Sequence, residues 1–149
     1  MKRFMALTCL FIFTLSSLTG CALFKSDKEK IEDRIESFIS AYNSGDLEDA
    51  LDCLDAKTKN AFKSSMALTE ALSGMSGFSI SDLFSIGIGI SEGDTLTVDI
   101  VDIEIEDERA MVDVIVSYKD SAKELKEEKA FFTMVKEKQE WYIKNFENK

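Results

Sequence analysis

The chain has 149 residues, 28 acidic and 18 basic, with a formal net charge of −10, no histidine and no proline. That length suits one domain with a core of ordinary size. The acidity argues against nucleic acid, itself a polyanion. The lack of histidine removes the commonest general base, the commonest imidazole metal ligand, and any Ser-His-Asp or Cys-His arrangement.

Residues 1–20 have three zones. Lys2 and Arg3 form a positive head, residues 4–15 are mostly apolar and uncharged, and residues 16–20 turn small and more polar before Cys21. A positive head, an apolar run of roughly 7–15 residues and a small-residue exit describe a secretory signal peptide. A permanent span needs about 20 apolar residues, so this run is short for one. The exit Leu18-Thr19-Gly20-Cys21 resembles the lipobox of bacterial lipoproteins. The resemblance implies cleavage between Gly20 and Cys21, a diacylglycerol on the Cys21 sulfur and an acyl chain, such as palmitate, on the new amino terminus. A single acyl chain holds only marginally, at about 0.8 kcal/mol per buried methylene, so stable anchoring needs more than one. The expected organisation is a signal peptide at 1–20, a short lipid-anchored tether at 21–26 and one domain at 27–149. The expected location is the cell membrane or outer membrane, with the domain outside the cytoplasm.

Removal of residues 1–20 takes away Lys2 and Arg3 and no acid, leaving 16 basic and 28 acidic residues, a net charge of −12. Such a domain gains nothing from anionic lipid, so the lipid on Cys21 must do the anchoring. Cys9 leaves with the leader and Cys21 carries lipid, so Cys53 has no partner for an intramolecular disulfide.

Residues 27–44 read as a helix. Ile31, Ile35, Phe38, Ile39 and Tyr42 recur at spacings of three and four, and Gly45 suits a left-handed cap. Asp46 caps a second, short helix whose inner face is Leu47, Ala50, Leu51 and Leu54. Cys53 lies beside that face, as a small buried hydrophobe. Residues 57–72 form a third helix with a looser stripe of Ala61, Met66, Leu68 and Leu72, and Phe62 near its start.

Five of the seven glycines fall within residues 74–93, among Met75, Phe78, Leu83, Phe84 and Ile86. This segment is either a connection packed on the core or a mobile lip over a ligand or partner surface formed by those five apolar residues. Asp82, or Tyr142 from the last strand, would supply a polar group there. Gly87 and Gly89 make no phosphate loop, since no third glycine and no helix follow at the right spacing.

Residues 95–106 read as a strand with a change of phase. Leu96, Val98 and Ile100 alternate in one register, and Val101, Ile103 and Ile105 in the other. A bulge near Ile100-Val101 keeps both sets on the core side. Residues 109–118 follow with Ala110, Val112, Val114, Val116 and Tyr118 on one face. Residues 119–128 are a loop or a solvated strand extension, 129–136 a strand, 137–140 a turn and 141–146 the last strand. On that strand Trp141 and Ile143 share a face opposite Tyr142, Lys144 and Phe146.

Helices first and antiparallel strands after them define an α+β fold: N-terminal helices packed on a curved, mostly antiparallel four-stranded sheet. The opening helix ending in Ala41-Tyr42-Asn43-Ser44-Gly45-Asp46, Leu54 after the next helix and the closing Trp141-Tyr142-Ile143 together resemble the nuclear transport factor 2-like superfamily. The resemblance implies a cone with one cavity, used in that superfamily for unrelated purposes, isomerases and dehydratases among them. Its enzymes put Asp, Tyr or His into the cone. Here Asp113, alternating with Met111 and Ile115, is the one catalytic candidate, with Tyr42, Tyr118 and Tyr142 as hydrogen-bond donors. Asp99, Asp102, Glu104 and Glu106 read as a solvated face.

Three readings follow. The first is a non-catalytic binding or accessory domain at the cell envelope, needing no cofactor or metal and taking a small apolar ligand. The second is an interaction protein with an envelope protein partner on the sheet or on residues 74–93. The third is a small cavity enzyme using Asp113. The anchor has a direct test in the host. Intact mass is expected to show lipid on Cys21 and no residues 1–20, and Cys21→Ser is expected to move the protein from the membrane to the soluble fraction. A variant that stays membrane-bound with its leader intact makes the leader an uncleaved anchor instead.

Overall fold

The computed structural model describes residues 25–73, 95–119 and 124–148. Residues 1–24, with Gly20 and Cys21, and residues 74–94, with Met75, Phe78, Asp82, Leu83, Phe84 and Ile86, lie outside them. Three helices, α1 (Asp27–Ser44), α2 (Leu47–Asp52) and α3 (Ala56–Ser73), precede four strands, β1 (Thr97–Glu106), β2 (Arg109–Lys119), β3 (Leu125–Glu137) and β4 (Glu140–Asn148). The strands form one antiparallel sheet in the order β1-β2-β3-β4. The α+β architecture read from the sequence is the one observed.

The stripe of α1 is the core. Ile31, Ile35, Phe38, Ile39 and Tyr42 are all buried, as are Ala110, Val112, Val114 and Val116 of β2, and Phe132, Met134, Trp141 and Ile143 beyond it. Phe38 meets Phe132 edge to face, with centroids 6.3 Å apart. Burying each large apolar side chain stabilises by about 1.5–3 kcal/mol, so this layer dominates the energetics.

Both ends of α1 are tied down. Ser26 caps it through a reciprocal pair: the Glu29 amide donates to Ser26 Oγ at 3.3 Å, and the Ser26 amide donates to Glu29 Oε2 at 2.7 Å. The next residue, Asp27, accepts from Lys136 Nζ at 2.8 Å and Trp141 Nε1 at 3.1 Å, so the helix start is fixed over the β3–β4 hairpin. Lys30 adds a bond to the Gln139 carbonyl at 2.9 Å. At the other end Gly45 has φ +73°, and the amides of Gly45 and Asp46 donate to the carbonyls of Tyr42 and Ala41. This is the left-handed stop that glycine adopts without strain.

Two irregularities bend the sheet. In β1, Val101 is skipped between the pairs Ile100–Val114 and Asp102–Asp113. Ile103 stays buried, while Val101 is 62% exposed rather than on the core side where the phase argument put it, because it is itself the bulged residue. In β4, Lys144 is skipped between Ile143, paired with Met134, and Asn145, paired with Thr133. Phe146 therefore returns to the core face, not to the face of Tyr142, and packs on Phe132 with centroids 4.4 Å apart.

β3 begins at Leu125, so the solvated strand extension is the form this charged stretch takes over residues 125–128. The turn after α2 runs beside β4: the Ile143 amide donates to the Cys53 carbonyl and the Asp55 amide to the Ile143 carbonyl, both at 2.9 Å. Asp55, buried, accepts the Thr58 amide at 2.7 Å and caps α3. Beyond that end α3 is held lightly. Phe62 packs on the core and Met66 is half-buried, whereas Ala61 is exposed and Leu68 is 60% exposed, so among the described side chains the stripe expected for this helix is only partly covered.

Trp141 is fully buried, and Trp141→Ala is expected to cost about 3–5 kcal/mol in urea melts, against about 0.5 kcal/mol or less for exposed Glu32→Ala. Equal, small losses would refute the packing. A second expectation concerns pH. The hydrogen bond from Lys136, then that from Trp141, hold the Asp27 carboxyl below its ordinary value of 3.8. A depressed carboxylate contributes stability that is complete above its unfolded value and is lost as pH falls through the lower folded one. Asp27→Asn is therefore expected to be less stable than the natural protein at pH 7, with the gap closing as pH drops below about 4. A gap that persists to pH 2 would show that the bonds act through shape alone.

Candidate functional site

A cleft of about 740 Å³ lies between α1 and β1, within the usual range of about 300–1,000 Å³ for small-molecule sites. The 3.6-residue period of α1 turns Ile35 and Ile39 toward it, and the strand period of two brings Val98 and Ile100 from the other wall. Those four make an apolar floor: the two helix residues are buried and the two strand residues half-buried. The polar lining comes from Glu32, Glu36, Ser40, Asn43, Ser44 and Asp99. Among the described lining residues there is no lysine or arginine.

Asn43 sets the width of the cleft at one end. Its Nδ2 donates to the Leu96 carbonyl at 2.9 Å, and its Oδ1 accepts the Leu96 amide at 2.8 Å. One amide side chain thus pairs with both backbone groups of a residue just ahead of β1, as a neighbouring strand would. Glu32 and Glu36 stand one turn apart on the exposed side of α1, a like-charge pair that costs a helix about 0.2–0.5 kcal/mol. Lys25, whose charge reaches Glu36, is ion-paired with Asp33, which raises its pKa.

A second, more polar groove of about 590 Å³ runs between α1 and α2, lined by Arg34, Ser37, Ser40, Asp49, Asp52 and Cys53 among others. Cys53 is buried and its Sγ donates to the Asp49 carbonyl at 3.4 Å. Burial, its largest influence, pushes the thiol pKa up, which favours the unreactive protonated form. Asp52 is paired with Lys59, whose hydrogen bond holds its carboxyl below the ordinary range.

The residues proposed for catalysis do not converge. Asp113 sits between buried Val112 and Val114, so it faces the side of the sheet away from α1, half-buried with Ile115 and opposite Asp102 and Phe131. Tyr42 is buried in the helical layer, and Tyr118, on the core face, donates to Glu128 at 2.7 Å. Tyr142 carries the Arg34 guanidinium 4.8 Å above its ring, and Arg34 also approaches Glu140 at 3.7 Å. None of these lines the α1–β1 cleft. Among the described residues no three His, Cys, Asp or Glu side chains come together to hold a metal ion, and no helix is long and apolar enough to cross a membrane. The apolar surface expected from Met75, Phe78, Leu83, Phe84 and Ile86 falls outside the described residues. What the sequence reading missed is the pair Glu32 and Glu36. Their spacing of four puts them on one side of α1 beside Ile35 and Ile39, and the sequence reading gave them no place in a site.

No protein-family model matches the sequence, and no curated protein matches it either. Solved structures do match. An NTF-2-like protein of unknown function from Shewanella oneidensis is 16% identical, with a TM-score of 0.52, over 83% of this chain and 98% of that one. A SEC-C motif containing protein from Rhodopseudomonas palustris is 11% identical, with a TM-score of 0.53, over 82% of this chain and 77% of that one. At such identity the likeness speaks for fold. The chain has the nuclear transport factor 2-like fold: helices, then a curved four-stranded antiparallel sheet.

Proposed function

We propose that this is a lipid-anchored cell-envelope protein whose domain is a non-catalytic binding module, with the α1–β1 cleft as its ligand site. The observation that carries the reading is the cleft: about 740 Å³ of space with an apolar floor and polar groups confined to its lining. The anchor rests on Leu18-Thr19-Gly20-Cys21. Because Ser26 already caps α1, only Ala22 to Lys25 separate Cys21 from the folded domain, a reach of at most about 18 Å. The domain would therefore work at the membrane surface and take ligand there. Against catalysis stand the chain's lack of histidine and the scatter of Asp113 and the tyrosines over opposite faces of the sheet.

A partner protein on the outer face of the sheet is the second reading. It is favoured by Met111, 49% exposed, beside half-buried Ile115, Phe131 and Val135.

The cleft is tested by filling it. Ser40 is exposed and lines the cleft, so Ser40→Trp places a large ring there without disturbing the buried stripe of α1. A neutral apolar reporter, N-phenyl-1-naphthylamine, is expected to bind the natural chain saturably and to lose that binding in Ser40→Trp. Equal binding by the two would remove the cleft as the site.

A further inference from the structure

The wall composition of the cleft carries a statement about its ligand. Glu32 and Glu36 lie one helical turn apart at its edge, above Ile35 and Ile39, and Asp99 adds a third carboxylate to the lining from β1. All three carboxylates are exposed, and the described lining residues offer no cation to answer them. The chain around them is itself strongly acidic, at net −10. An anion entering here would meet three like charges with no donor fork to bind it. A cation would neutralise a repulsion already built into α1, with the modest, salt-screened attraction expected of exposed carboxylates. The floor asks for something else as well, since a bare inorganic cation leaves Val98 and Ile100 uncovered.

We infer that the cleft selects a cationic amphiphile: an ammonium group held between Glu32 and Glu36, with an apolar body along the floor of isoleucine and valine side chains. This rests on reading the cleft as the binding site, and adds to it the charge and shape of the ligand. The two carboxylates stand on adjacent turns, so one ammonium, with three donors, serves both. The apolar part then runs inward between α1 and β1, where its burial supplies the remaining affinity. Attraction of this kind is screened by salt, whereas the apolar contribution is not.

The experiment is a nitrogen-15 NMR titration of the full chain with octylammonium, octyl glucoside and octanoate, three probes with one tail and three head charges. Octylammonium is expected to shift the amides of Ile39, Ser40, Val98 and Ile100 saturably, about tenfold more tightly than either other probe at low salt. The double variant Glu32→Gln with Glu36→Gln is expected to bring it down to the level of octyl glucoside. The control double variant Glu104→Gln with Glu106→Gln, which lowers net charge equally on a strand edge outside the cleft, is expected to leave it unchanged. If all three probes move the same amides with equal affinity, the cleft stands and the charge selection is overturned. If the control variant weakens octylammonium as much as the cleft variant does, the attraction is to net charge alone and the proposal fails. If no probe moves those amides, both this inference and the cleft as a binding site are overturned. Each variant's amide spectrum reports on its fold in the same measurement.

Discussion

Helix α1 is held to the sheet at both ends, and the rest of the molecule depends on that. Eighteen residues at about 1.5 Å rise make a rod of about 27 Å. Its first residue is bonded to Lys136 and Trp141 at the β3–β4 hairpin, and its penultimate residue, Asn43, to Leu96 just before β1. The rod therefore crosses the sheet from one edge to the other. Neither tie is strong alone. A part-exposed ion pair contributes about 0–1 kcal/mol, and a hydrogen bond about 0.5–1.5 kcal/mol. Their role is direction: they fix which side chains of α1 meet which strands, and the buried layer between them supplies the energy.

A straight rod across a sheet packs along its whole length only if the sheet bends around it. The two skipped residues, Val101 and Lys144, supply extra length on the two edge strands, where bulges increase bend and twist most freely. They also restore phase. Without the skip at Lys144, Phe146 would face outward and Phe132 would lose its ring contact. Without the skip at Val101, either Ile103 or Val98 would leave the core. The bend closes β4 against α1 through Trp141 and leaves β1 separated from the middle of the helix, with Asn43 bridging the gap at one end. The cleft is thus a consequence of where the helix is tied.

The first bulge was legible because Ile100 and Val101 break an alternation that resumes one residue later. The second follows the same rule, since Ile143 and Phe146 are three apart where two or four would keep one face, but a six-residue reading made the tail too short for the break to stand out. The capping box was equally visible as Ser26-x-x-Glu29, but Ser26 was assigned to the tether and only Glu29 to the helix. The buried stripe of α1 and the glycine stop at Gly45 needed only local periodicity. By contrast, Asp27 meets Lys136 and Trp141 across more than a hundred residues, and Asn43 meets Leu96 across 53. No local pattern marks such pairs. They depend on the bend, which depends on both bulges together. The stripe of α3 was legible only in part, with Phe62 and Met66 covered and Ala61 and Leu68 exposed: apolar spacing tells which side can be buried, and only the fold tells how much of it is.

The same geometry separates binding from chemistry. General acid–base work needs a titrating group within about 2.6–3.2 Å of the proton it moves, in a site that excludes water. Asp113 has partly apolar neighbours but stands on the far side of the sheet from the cleft, while Glu32 and Glu36 have the cleft but stand in water. Cys53 is buried, which pushes its thiol pKa up, and the chain has no histidine to activate it. Among the described residues, Asp113 and Cys53 both lie away from the lining of the α1–β1 cleft. A binding cleft asks for less: an open groove with an apolar floor and a charged edge. Those two do coincide, on consecutive turns of the one helix whose position the whole fold is built to fix.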